Sequence, residues 1–215
     1  MKTLLLVLSL AFIPFQAFAD QPIPDGFEPK IIKKGDTLWS LCKGDSVSQA
    51  VFMSVNHLDN RHLPTGKKVL VPTDIEQANR YVPIPKKLSD SRDNREIRVF
   101  LDTQYFGAYE NGALVFWGPV SSGRIGKTTP AGEYAIAYKQ RYKCSKKYDN
   151  APMPYSLNLS NTGYFLHQQA LPGYPASHGC VRLLMKDAER LFFWSRVGDP
   201  VTVVERSPSV MMSKN

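Results

Sequence analysis

LHQQALPGYPASHGCVRL, residues 166–183, places one of the chain's three cysteines two residues after His178 and thirteen after His167. A thiol is a poor nucleophile until it loses its proton, and a free cysteine holds that proton up to a pH of about 8.5. A histidine in reach supplies the missing base, because imidazole titrates in the right range. The apolar run YFLH (164–167) reads as the end of a strand, which would hold His167 rigidly, while His178 and Gly179 sit on the irregular loop leading into Cys180. Taken alone, the spacing leaves two readings open: an inert loop thiol beside solvated histidines, or a nucleophile with its base.

Moving outward, residues 95–204 alternate short runs rich in aromatic and β-branched residues: REIRVFLD, QYFGAYE, GALVFWG, GEYAIAY, GYFLH and DPVTVVE. Such runs between turn residues predict strands. Glu110-Asn111-Gly112 predicts a tight hairpin, since Asn and Gly tolerate the positive φ it needs. One helix is expected, MKDAERLFFWSRVG (185–198), with Leu191 and Trp194 on its apolar face and Gly198 ending it. The stretch 138–158, YKQRYKCSKKYDNAPMPYSLN, is long, basic and tyrosine-bearing, and reads as an insertion ahead of the strand that carries His167.

Residues 30–73 predict a small β-α-α-β unit. KIIKKG is a short strand, Asp36 or Thr37 caps a first helix ended by Gly44, Ser46 or Ser48 caps a second, and KKVLVP closes with a strand. Trp39 is expected in its core. Residues 20–29, with three prolines, read as an extended leader, residues 74–94 as a polar linker without apolar period, and 205–215 as a tail.

Residues 1–19 read as a signal peptide: Lys2, an apolar stretch from Leu4 to Phe15, and Ala17-Phe18-Ala19 as the cleavage signal. An exported protein, periplasmic or cell-wall associated, is expected, with no membrane span once that segment is removed. The chain of 215 residues carries 27 Lys+Arg against 19 Asp+Glu, a formal net charge of +8. That balance favours anionic partners. In an exported protein these are envelope polymers, not nucleic acid. Three cysteines are an odd number for an oxidising compartment. Cys42 and Cys144 either pair, which requires the two folded parts to meet, or remain single buried thiols. With no CxxC and no clustering of ligand residues, no structural metal is expected.

Two sets of residues carry family resemblances. Gly35-Asp36-Thr37-Leu38, Asn56, Pro64, Gly66 and Val71-Pro72 match in order the pattern of LysM domains. That resemblance implies binding of N-acetylglucosamine-containing glycan strands. ASHGCVRL (176–183) is similar to the S-H-G-C-x-R-L signature of L,D-transpeptidases, the YkuD-like enzymes that remodel peptidoglycan. The upstream hairpin, the S-x-G at 121–123 and TPAGEYAI (129–136) follow the same family. The expected fold class is therefore α+β, mostly β: a YkuD-like β-rich catalytic domain with a flanking helix, preceded by the LysM-like unit.

The resemblance implies Cys180 as nucleophile and His167 as general base, with the Gln168 carbonyl fixing the imidazole tautomer. It implies an oxyanion hole from backbone N–H groups near Cys180, including that of Gly179. His178 and Arg182 would shape the pocket, Arg182 by pairing with a carboxylate or holding the loop, and Ser177 would order the loop. Two departures stand out: Met185 replaces the usual Asn ahead of Asp187, and no H-G-T follows His167. The implied activity acts on peptidoglycan stem peptides through an acyl-enzyme, without cofactor, releasing the terminal D-amino acid and passing the acyl group to an amine. A hydrolase on the same fold or a non-catalytic wall-binding protein are the alternatives. The LysM-like part is expected to be dispensable for small soluble stems.

Overall fold

The computed structural model describes residues 22–91 and 93–207. The segment read as a signal peptide, and the tail from Pro208, lie outside them. Among the described residues no helix is long and apolar enough to cross a membrane.

The N-terminal unit pairs β1 (Phe27–Ile31) antiparallel with β2 (Lys68–Pro72). Between them lie α1 (Leu38–Leu41) and α2 (Ser46–Asn56). The first strand thus begins inside the stretch read as leader. Thr37 caps α1 by accepting from the Ser40 N–H, and the Ser40 side chain reciprocates. Asp45, not either serine, caps α2 by accepting from the Ser48 N–H at 2.6 Å. The unit's core is Ile32, Leu38, Leu41, Cys42, Phe52, Leu58, Val69 and Val71. Trp39 is not part of it. It is 68% exposed and its ring lies over Gly44, where a Cβ would come within 2.7 Å. Asn56 ties α2 to the sheet, donating to the Leu70 carbonyl and accepting its N–H, both at 2.8 Å.

The connecting stretch is a packed strap. After the short α3 (Ile75–Ala78), Ile84 and Leu88 bury against Phe100, Tyr105 and Tyr109. Tyr109 Oη donates to the Pro85 carbonyl. Arg98, itself buried, donates to Glu96 and to both oxygens of Asp90. No period betrays this in the sequence, because the two anchors stand alone among prolines and lysines.

The remainder closes into an eight-stranded barrel, in order β10-β3-β4-β5-β9-β8-β7-β6. Its strands are β3 (Arg95–Phe100), β4 (Tyr105–Glu110), β5 (Ala113–Ser121), β6 (Gly132–Gln140), β7 (Ser156–Leu159), β8 (Phe165–Gln168), β9 (Val181–Leu183) and β10 (Pro200–Val204). Asn111 and Gly112, at φ 50° and 75°, form the expected turn between β4 and β5. The four-residue β7 and three-residue β9 are too short for a readable alternation. The ends of the presumed insertion, 138–140 and 156–158, are barrel strand, which leaves a loop over 141–155.

Inward residues of every strand build one core, which Ala188 and Leu191 of α4 (Met185–Trp194) join. Cations hold the carbonyl end of α4: Lys139 Nζ donates to the Phe192 and Ser195 carbonyls and Arg95 Nη1 to that of Trp194. Within its first turn Asp187 is buried with Oδ2 unpartnered. Burial raises this carboxyl to about 6, against smaller lowering by Lys186 and Arg190.

Candidate active site

Strand alternation places the candidate residues. β8 and β9 are parallel neighbours with Leu166 opposite Val181 and His167 opposite Arg182. Leu166, Val181 and Leu183 face the core. With a period of two, His167, Arg182 and Cys180 therefore share the opposite, outer face. That pairing sets residues separated by thirteen positions in the chain on one strand face, with the Cys180 Sγ 4.0 Å from the Gly163 carbonyl oxygen.

His167 is 5% exposed, and its Nδ1 lies 2.8 Å from the Gln168 carbonyl oxygen. A carbonyl only accepts, so Nδ1 carries the proton and Nε2 is left as the basic nitrogen. Burial, outweighing the Gln168 hydrogen bond and assisted by the Arg182 charge, lowers the imidazole to about 4. Burial likewise raises the Cys180 thiol, against the lowering effects of the Phe165 backbone and Arg182. Both shifts favour the uncharged forms at rest, a thiol and a neutral imidazole on the same strand face.

The Cys180 backbone is pinned from two sides. Ser177 is 2% exposed. Its Oγ donates to the Cys180 carbonyl at 2.5 Å and accepts the Gly179 N–H at 3.0 Å. This commits the Gly179 N–H internally, so it is not free to face an oxyanion, contrary to expectation. Thr129 Oγ1 accepts from the Gly123 N–H and donates to the Gly179 carbonyl, each at 2.9 Å. A planar trans peptide then turns the Cys180 N–H away from Thr129. Gly179 sits at φ +118°, and a Cβ there would lie 2.6 Å from the Tyr164 ring. No other residue fits.

Thr129 and Ser121 are thus structural partners of the site to which sequence reasoning assigned no role, although both fall in the quoted S-x-G and TP-x-G stretches. Ser121 Oγ donates to the Tyr174 carbonyl and accepts the Ala176 N–H, and Ser177 N–H donates to the Ser122 carbonyl. Arg182 Nη1 donates to the Ala170 carbonyl at 3.4 Å, holding the loop, and pairs with no carboxylate among the described residues. His178 points to the rim. It stacks on Tyr148 of the 141–155 loop, with centroids 4.6 Å apart, and Arg124 Nη2 lies 3.2 Å from its Nε2. Slight desolvation and the cations Arg124, Arg182, Lys127 and Lys147 lower the pKa of this exposed ring. Cys42 and Cys144 are both single thiols; Cys42 is buried but Cys144 is exposed, not buried. Burial, with Asp45 adding, pushes Cys42 up to about 11.

Comparison with known proteins places this geometry. The family model for the L,D-transpeptidase catalytic domain, YkuD, matches residues 94–203, and that for the LysM domain matches residues 31–72. The putative L,D-transpeptidase YkuD of Bacillus subtilis is 27% identical over 178 residues, covering 80% of this chain and 96% of the relative. Its Bacillus licheniformis counterpart is 26% identical over 167 residues, covering 74% and 88%. An L,D-transpeptidase structure from Stackebrandtia nassauensis is 30% identical with a TM-score of 0.51, over 61% of this chain and 63% of that one. One from Xylanimonas cellulosilytica shares the fold at a TM-score of 0.57, 24% identical over 82% and 98%.

Proposed function

The chain belongs to the L,D-transpeptidase family, with a LysM domain ahead of the catalytic domain, and from that premise we propose that it is a cysteine-dependent L,D-transpeptidase acting on peptidoglycan stem peptides. The observation that carries the reading is the shared outer face of β8 and β9, with His167 Nδ1 held by the Gln168 carbonyl. Cys180 Sγ attacks the carbonyl joining the L-centre of the third stem residue to the terminal D-amino acid. His167 Nε2 takes the thiol proton as the S–C bond forms, because the uncharged resting pair makes a preformed thiolate a minor species. With the Gly179 N–H committed to Ser177, the Cys180 N–H is the donor assigned to the developing oxyanion.

His167 then returns the proton to the departing amine, leaving a thioester on Cys180. An acceptor amine attacks the thioester, His167 removes its proton, the C–S bond breaks and the thiol is regenerated. Water in place of the amine gives hydrolysis. The 141–155 loop, with Tyr148 stacked on His178 and Lys147 beside it, supports transfer, since it offers a wall with rings and cations suited to a carboxylate-bearing acceptor. Export of the protein to the periplasm or wall, with the LysM domain on glycan strands, completes the reading.

Incubation of the protein with a tetrapeptide stem and a D-amino acid, read by mass spectrometry, tests it. Amino-acid-exchanged or 3-3 linked products are expected. If only tripeptide and free D-residue form at high acceptor concentration, the hydrolase reading replaces it.

A further inference from the structure

The loop between base and nucleophile, residues 169–177, cannot brace itself. Pro172 and Pro175 lack N–H groups, and Gly173 sits at φ +88°, so no regular ladder runs through it. Its middle is instead held by the LysM domain. Leu58 bridges antiparallel to Pro172. The Asp59 N–H donates to the Leu171 carbonyl at 3.0 Å, and the Leu171 N–H donates to Asp59 Oδ2 at 2.9 Å. Lys67 Nζ donates to the Gly173 carbonyl at 2.8 Å. Leu58 and Leu171 are both 0% exposed, so the apolar centre of the junction is closed to solvent.

Asp59 is preorganised for the contact. Its Oδ1 accepts from the Arg61 N–H at 2.8 Å and lies 2.7 Å from His62 Nδ1. Burial alone would raise its carboxyl, but the hydrogen bonds from His62, Arg61 and Leu171 outweigh that and lower it. Around the clamp, His57 Nε2 lies 3.1 Å from the Thr103 carbonyl oxygen and Tyr105 Oη donates to the Val55 carbonyl at 3.1 Å. One residue before the clamped segment, the Ala170 carbonyl receives Arg182 Nη1, and Arg182 shares a strand face with Cys180.

We propose that the LysM domain is a working part of the catalytic centre, with Asp59 and Lys67 as positioning residues that hold Leu171–Gly173 and, through Ala170, the Arg182 guanidinium beside Cys180. This rests on the transpeptidase reading for its turnover consequence and replaces the expectation that the domain is dispensable for small substrates. A tether that only binds glycan would leave the chemistry on a short soluble stem untouched. A clamp would not.

The test uses the full chain carrying Asp59→Ala, Asp59→Asn, Lys67→Met or, as an exposed control on the same domain, Val47→Ser. One readout needs no substrate: the pH profile of Cys180 alkylation by iodoacetamide. The other is kcat and KM on a soluble tetrapeptide stem. Asp59→Ala and Lys67→Met should lower kcat by about tenfold or more, since small misplacements at a reacting centre cost up to about a hundredfold. KM should change little, and the alkylation profile should move to higher pH as Arg182 loosens. Asp59→Asn, which keeps an acceptor for the Leu171 N–H, should recover most of the loss, and Val47→Ser should behave as wild type. Wild-type kcat and an unmoved profile in folded Asp59→Ala or Lys67→Met overturn the clamp. Failure of the wild-type chain to turn over any stem overturns the transpeptidase reading instead, and the alkylation profile then still decides the clamp.

Discussion

Thr129→Val removes one hydroxyl and almost no volume, yet it touches both the stability and the chemistry of the site. Thr129 is buried, and its Oγ1 serves the Gly123 N–H and the Gly179 carbonyl, each at 2.9 Å. Valine leaves both backbone groups without that partner in a region water does not reach. At about 1–3 kcal/mol for each of the two orphaned groups, the expected destabilisation is about 2–6 kcal/mol, read by thermal or urea unfolding. The catalytic effect has a separate origin. The Gly179 carbonyl is the handle that orients the following peptide, and so the Cys180 N–H assigned to the oxyanion. Complete loss of such a donor costs about 10²–10³ in kcat, so a loosened one should cost about 10–100-fold with KM nearly unchanged. Thr129→Ser, which keeps the hydroxyl, should restore most of both. A Thr129→Val protein that melts early but keeps kcat within about twofold at a temperature where it is folded would refute the argument.

His167→Ala should abolish acylation in single-turnover measurements, while His178→Ala, which loses the Tyr148 stack and the Arg124 contact, should retain most of it; the reverse order would exchange their roles. Asp187→Asn should stabilise the fold. Because burial raises this carboxyl from its ordinary value to about 6, the folded state loses stability as pH rises from about 4 to 6, and the variant's advantage should grow over that window to about 1–3 kcal/mol. No gain at pH 7 would mean the carboxylate is needed. His57, half-buried between the domains against Tyr105, is lowered to about 4 by desolvation, with Lys67 adding and the Thr103 and Gln104 backbone opposing. Its contribution is whole above pH 6.5 and is lost as pH falls toward 4, so His57→Gln should flatten the acid decline in unfolding free energy across that range; an unchanged slope would place the decline elsewhere.

Much of this architecture was legible because strong local signals coincide with tertiary roles. The Asn111-Gly112 turn, the aromatic and β-branched runs and the closing Lys68–Pro72 strand all declare themselves in a few residues. Short strands did not: β7 and β9 hold four and three residues, and their place in the barrel comes from neighbours far away in the chain. Trp39 misled because large aromatic residues are usually buried, whereas this one covers Gly44 at the surface. The strap was hidden for a similar reason, since Ile84 and Leu88 are single anchors without a period. At the site, the reactive pair was visible as residue types, but the commitment of the Gly179 N–H to Ser177 and the bracing by Thr129 depend on loop geometry that no spacing encodes. The Asp59 and Lys67 contacts join residues more than a hundred positions away. Only the folded chain places them together.

In the proposed mechanism Cys180 carries the stem peptide covalently between donor and acceptor. Rapid quenching of the protein with a tetrapeptide stem, followed by intact-mass measurement and peptide mapping, tests it most directly. An adduct is expected on the Cys180 peptide with the mass of the stem less its terminal D-residue, absent from Cys180→Ala and discharged by added amine. Continued turnover by Cys180→Ala, or an acyl adduct mapped to Cys42 or Cys144 instead, would contradict it.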